Sequence, residues 1–113
     1  MRPAWLLCEG TVLAAAEVCE GLADRTRGLL GRSSYDGAML LPRTRSIHTL
    51  GMRFPMDVAF LDRELVVVGT VRLPPWRLAL PRRGGRNVLE ASAGSFERWG
   101  LRVGDRLEIR ETA

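Results

Sequence analysis

Lysine is absent from this chain: all seventeen basic residues among its 113 are arginine, and it holds a single histidine and a single tyrosine. Cysteine is scarce too. Cys8 and Cys19 are the only two, and no C-x-x-C pair exists. With one histidine, a zinc site of the usual four nitrogen and sulfur ligands cannot be assembled without carboxylates. No metal or other cofactor is implied. The two cysteines read as small reduced thiols of a cytoplasmic protein.

Long apolar runs are also missing. Ala4 to Cys8 is stopped by Glu9 and Gly10, and Glu17 interrupts the following stretch. That is shorter than the apolar region of about 7–15 residues in a signal peptide, and far from the roughly 20 of a membrane helix. The expectation is no membrane association. Neither a Walker pattern nor G-x-G-x-x-G occurs, which excludes the usual nucleotide-binding loops. No G-x-S-x-G turn supports a nucleophile at Ser33, Ser34 or Ser46 with His48 and Asp57. Trp5, Trp76 and Trp99 are too widely spaced to form a base-stacking platform.

What is present is an ordinary globular balance, 46% apolar and 27% charged, in a length suited to one domain spanning residues 1–113. A net charge of +4 permits an anionic partner without demanding one. The arginines are spread along the chain, which argues against nucleic acid. Their planar forks suit carboxylate and phosphate groups.

Hydrophobic periodicity gives mostly strands. Trp5–Cys8 and Thr11–Val18 flank a turn at Glu9–Gly10, although Ala14–Ala16 leaves the second open to a helical reading. Leu22–Leu30 is a helix candidate, with Leu22, Leu29 and Leu30 on one face and Gly31 as its stop. Gly37–Leu41 and Ile47–Leu50 read as short strands. Met56–Leu61 alternates, with Met56, Val58 and Phe60 on one side and Asp57, Ala59 and Leu61 on the other. It turns at Asp62–Glu64 into Leu65–Leu73, whose valine run, apolar on both faces, predicts a central strand. Pro81–Arg86 is a loop and Val88–Ala91 a strand. Ser95 is positioned to cap a helix over Phe96–Trp99 that Gly100 ends, and Arg106–Arg110 is the last strand. The fold expected is mainly β: a single-domain β-sandwich or jelly-roll-like fold, or a partly closed barrel, with two short helices.

Several short motifs, in this order and spacing, resemble a widespread uncharacterised family, the domain of unknown function one-nine-two. They are Arg27–Leu30 with Arg32, Gly37 and Met39, Pro55–Asp62, Val88–Glu90 with Gly94, Gly100–Leu101 and Val103–Arg106, over about residues 25–109. The resemblance implies a small, predominantly β domain and no established activity. Family members often carry phenylalanine-tryptophan-methionine-lysine-asparagine-threonine before the proline-x-aspartate. Here the tryptophan, lysine and asparagine positions fall on His48, Leu50 and Gly51, so a site built on that lysine or asparagine is absent or rebuilt around His48 and Arg53. Many relatives also carry a secretion signal, which is not expected here.

The candidate site follows from the segment Ser46–Asp62. His48 can act as acid, base or pH-sensitive reader, against the plainer role of a histidine tied to a carbonyl or to Asp57. Arg53 can fork an anion or pair with Asp57 or Asp62, and Thr49 can donate a hydrogen bond. Asp57 can orient His48 or hold Arg53, or simply accept backbone amides from a neighbouring turn. Glu90 and Asp105 read as structural carboxylates. Arg82, Arg83 and Arg86 surround Gly84–Gly85 in a loop able to close over an anion, or remain solvated. The reading that follows is a domain binding a small or peptide-borne anionic ligand without turnover, through His48, Thr49, Arg53 and Asp57, with Arg82, Arg83 and Arg86 as the closing loop. The alternatives are a small hydrolase- or transferase-like enzyme with His48 as general base, and a module that docks a protein partner.

Overall fold

Glu9 and Gly10 both take positive φ, 50° and 80°, the pairing that joins two antiparallel strands with matched twist. They connect β1 (Arg2–Cys8) to β2 (Thr11–Val18), so the alanine run is strand. The computed structural model describes residues 2–20 and 37–112. The helix expected over Leu22–Leu30 lies outside the described residues. The remaining elements are β3 (Ala38–Leu41), β4 (Ile47–His48), β5 (Met56–Leu61), β6 (Val67–Leu73), β7 (Leu78–Ala79), β8 (Asn87–Ser92), α1 (Ser95–Trp99) and β9 (Leu107–Glu111).

Seven strands form one mixed sheet in the order β6-β5-β8-β3-β2-β1-β9, in which only β2 and β3 run parallel. Its two ends meet. Val66 bridges Arg106, Val67 N–H donates to Asp105 O at 2.8 Å and Leu107 N–H to Leu65 O at 2.9 Å. The sheet is therefore a partly closed barrel, mainly β as expected.

Strand alternation sorts the core into two compartments. The barrel interior draws on every strand of the sheet, with Leu6, Val18, Leu40, Ala59, Leu61, Leu89 and Leu107 among its members and Phe96 of α1 at one end. The outer layer lies between β3, β5, β6 and β8 and the separate β4–β7 ribbon, and holds Met39, Leu41, Ile47, Met56, Val58, Phe60, Ala79 and Val88. β5 feeds both, as its alternation predicts, and all six of its residues are buried.

Two expectations need correction. β6 stands at the end of the strand order, not at its centre. Its valines are apolar on both faces because Phe60 pairs with Gly69 and Leu61 with Val67, leaving Val68 as a bulge; Val67 then joins the interior and Val68 packs on the outer layer. The second concerns α1, whose N-cap is Gly94 in the left-handed region and not Ser95. Ser95 is already helical, and the loose amides are held by Asp57.

Cys8 is a free, half-buried thiol. The register sets Cys8 opposite Thr11 and Val18 opposite Arg2, so Cys8 and Cys19 lie at opposite ends of the hairpin. At about 3.3 Å per residue that separation is far beyond disulfide reach.

Candidate functional site

Thr49 is completely buried directly after β4. Its hydroxyl donates to Pro74 O at 2.6 Å and accepts Arg77 N–H at 2.9 Å. Its carbonyl accepts the amides of Met52 and Trp76, at 3.0 and 2.9 Å. This side chain fastens the two halves of the ribbon. His48, half-buried and paired across the ribbon with Leu78, accepts the Leu50 amide on Nδ1 at 3.3 Å. Arg53 is exposed on the segment leading to β5.

Asp57 does not join them. It alternates with Met56 and Val58, so it faces the interior side of the sheet while the ribbon covers the outer side. There Oδ2 accepts Gly94 and Phe96 amides at 3.0 and 3.1 Å, and Oδ1 accepts Nε of its cross-strand partner Arg72 at 3.1 Å. The period-two geometry of the strand thus sets Asp57 on the side of the sheet away from His48 and Thr49. Asp105, the turn carboxylate, accepts Arg102 N–H at 2.9 Å. Glu90 is fully buried between Val58 and Met39, and it too is partnered. Among the described residues no buried side-chain nitrogen or oxygen lacks a hydrogen bond, and no cluster of His, Cys, Asp or Glu is arranged to hold a metal ion.

The loop arginines part company. Arg82 lies with its guanidinium carbon 5.5 Å from the centre of the Phe60 ring. Its Nη1 passes so close to Gly69 that a Cβ there would stand 2.9 Å away and the guanidinium would have to shift aside. Arg83 is exposed. Arg86 turns elsewhere. The ends of β3 and β5 and the start of β8 are neighbours, and at that end a cavity of about 400 Å³ is lined by Arg43, Arg45, Arg63, Arg86 and Asn87.

Asn87 assembles this cavity. Its Oδ1 accepts the Arg43 amide at 3.1 Å and its Nδ2 donates to Asp62 O at 3.0 Å, tying the β3–β4 loop to the β5–β6 turn. Asp62 Oδ1 in turn accepts the amides of Glu64 and Val66, at 2.8 and 2.9 Å, which shapes the turn carrying Arg63. Arg43 sits at φ 51°, a costly backbone region for a residue with a Cβ, and its amide bond to Asn87 helps hold it there. Arg86 is anchored by its amide to Leu61 O at 2.7 Å and by Nη1 to Gly85 O at 2.9 Å. Arg43 contacts Glu20 at 2.9 Å, and Glu20 also pairs with Arg2 at 2.8 Å, a contact that holds its carboxyl below the ordinary range. Arg45, Arg63 and Arg86 have no carboxylate partner among the described residues. Of the residues singled out by sequence, only Arg86 belongs to this cavity.

The family model described as an uncharacterized ACR, DUF192, matches residues 7–109. The chain belongs to the DUF192 family. The match begins well before the motifs that carry the resemblance, taking in most of the first hairpin. An uncharacterised UPF0127 protein of Pyrococcus abyssi is 36% identical over 97 residues, covering 81% of this chain and 83% of its own. Another, from Pyrococcus furiosus, is 41% identical over 63 residues, and the match spans only 54% of that relative's length. Two crystal structures share the fold of this DUF192 chain. One is described as a candidate transcription regulator from Sinorhizobium meliloti, with TM-score 0.75, 23% identity, and 96% and 92% of the two chains covered. The other, a protein of unknown function from Novosphingobium aromaticivorans, has TM-score 0.73, 21% identity, and 94% and 83% coverage. At these identities the likeness speaks for the DUF192 architecture alone. Among the described residues no helix is long and apolar enough to cross a membrane.

Proposed function

We propose that this DUF192 domain binds a small anionic ligand without turning it over, and that the ligand sits in the arginine cavity at the end of β3, β5 and β8. The observation that carries the reading is the convergence of Arg43, Arg45, Arg63 and Arg86 on one cavity with no acid in its lining among the described residues. Like charges gathered this way repel one another, and a bound anion relieves the repulsion. Asn87 and the Arg43 backbone supply the fixed geometry a binding site needs, because neither requires the ligand in order to be held. Recognition without turnover fits a lining whose described residues offer donors and no general base.

The test is thermal unfolding with and without sulfate, phosphate and carboxylate salts at constant ionic strength. An anion at a hundredfold excess over its Kd stabilises the fold by about 2.7 kcal/mol, a rise of several degrees for a domain of this size. Arg63→Gln is expected to remove the rise while leaving the ligand-free midpoint nearly unchanged. No response to any anion would refute the reading.

A second reading, docking of a protein partner, is favoured by one observation. Leu50, Trp76, Leu78 and Leu80 are all more than half exposed on or beside the β4–β7 ribbon, an apolar concentration on the surface next to His48. The enzyme reading based on His48 is not carried forward, since Asp57, the acid needed to orient it, is engaged by α1 and Arg72 on the other side of the sheet.

A further inference from the structure

We propose that the anion held by the arginine cavity is a diphosphate group, carried on a small molecule; this rests on the anion-binding reading above and narrows it to one chemical class. Four arginine residues line the cavity, and Arg43 alone among them pairs with a described carboxylate, that of Glu20. Three positive charges, those of Arg45, Arg63 and Arg86, are left without a carboxylate among the described residues. A single carboxylate would balance one of them and a terminal phosphate fewer than two. A diphosphate monoester carries about three negative charges near neutrality, one on the inner phosphate and up to two on the outer. The match in charge is with the diphosphate.

Geometry agrees with charge. The arginines come from three separate segments around the hollow: Arg43 and Arg45 before β4, Arg63 on the β5–β6 turn and Arg86 at the entrance to β8. Guanidinium groups approaching from several directions suit tetrahedral phosphates, whose oxygens radiate, better than a flat carboxylate. Arg63 and Arg86 also line an adjoining hollow of about 260 Å³ with Asp62, Glu64 and Gly84. Asp62 and Glu64 would repel an anion entering that second hollow, which leaves the cavity lined by Arg43, Arg45 and Asn87 as the seat. A cavity of about 400 Å³ is in the range of small-molecule sites and has room for a group beyond the phosphates themselves.

The experiment is titration calorimetry of the full chain at pH 7.5 and fixed ionic strength with acetate, orthophosphate, pyrophosphate, citrate, adenosine diphosphate and a single-stranded oligonucleotide. Pyrophosphate is expected to bind about tenfold or more tighter than orthophosphate and than citrate, which has nearly the same charge, because a further charge-assisted hydrogen-bond pair is worth about that factor. Arg63→Gln and Arg86→Gln should each weaken pyrophosphate about tenfold. Arg45→Gln, at an exposed loop position, is the companion variant should either of these fail to fold, and it should do the same. Adenosine diphosphate binding as well as or better than pyrophosphate would identify an esterified ligand; much weaker binding would overturn the small-molecule ester and leave free diphosphate. Citrate equal to pyrophosphate would overturn the diphosphate while leaving anion binding intact. Absence of binding by every anion would overturn both. Tight oligonucleotide binding lost in Arg63→Gln, with weak pyrophosphate binding, would overturn the inference in favour of nucleic acid.

Discussion

Asp57 caps a helix from which it is separated by 39 residues: its Oδ2 accepts the Phe96 amide at 3.1 Å, and the Gly94 amide at 3.0 Å. One carboxylate thereby fixes α1 at the end of the barrel interior, where Phe96 packs beside Trp99 with ring centres 5.7 Å apart. Asp57→Ala leaves two amides inadequately paired and is expected to cost about 3 kcal/mol, read from the urea midpoint. Arg72→Ala, which removes the largely exposed partner of the same carboxylate, should cost less than about 1 kcal/mol. Equal losses for the two would show that the ion pair, not the capping, is what matters.

The Thr49 hydroxyl is predicted to support the ribbon and to have no part in ligand binding. Thr49→Val keeps the shape but strands the Arg77 amide and the Pro74 carbonyl, for a loss of about 1–3 kcal/mol. Thr49→Ser should recover most of that. Chemical denaturation of the pair checks the stability, and the anion titration should give the same affinity for Thr49→Ser as for the parent.

Asn87 should affect binding more than folding. Asn87→Ala deletes two hydrogen bonds at a partly exposed position, costing about 1–2 kcal/mol, and releases the Arg43 backbone from its positive φ. Asn87→Asp retains an acceptor for the Arg43 amide but places a negative charge in the cavity, so anion affinity should fall further than in Asn87→Ala. Calorimetry on the two variants orders them.

The Cys8 thiol is expected to be sluggish. Burial pushes its pKa up, and the carboxylates of Asp105 and Glu9 add in the same direction. For a group that ionises to an anion, a raised value favours the protonated form in the folded state. Its contribution to stability is therefore present below the ionisation range of an unfolded thiol, and is lost as pH rises toward the folded one. At pH 8, reaction of Cys8 with a disulfide reagent should be slower than in the denatured chain, and Cys8→Ser should leave the midpoint at pH 7 nearly unchanged. A Cys8 reacting at the rate of an unfolded thiol would contradict this environment.

Local periodicity was enough to read β5, the first hairpin and the division of Met56–Leu61 between two apolar faces, because each depends on residues adjacent in sequence. The bulge at Val68 is not readable locally, since it is defined only by the partner strand, and neither is the terminal place of β6, which the order of the strands sets. The cap of α1 departs from local expectation for a related reason: serine is the common local solution, whereas here the acceptor arrives from β5. The arginine cavity was hidden by distance along the chain. Arg43, Arg63 and Asn87 meet only through the order β5-β8-β3, and nothing near Arg43 announces a positive φ. The spread of arginines looked like dispersal; folding gathers four of them.

The short seam around Val66 and Arg106, closed by the amides of Val67, Gly104 and Leu107, gives this molecule a preferred way to loosen. Parting there would leave β9 held by β1 alone and admit water to the barrel interior. The outer layer draws nothing from β1 or β9 and would keep its contacts. The two apolar compartments need not melt together, and the Asn87 junction belongs to the half that holds longer.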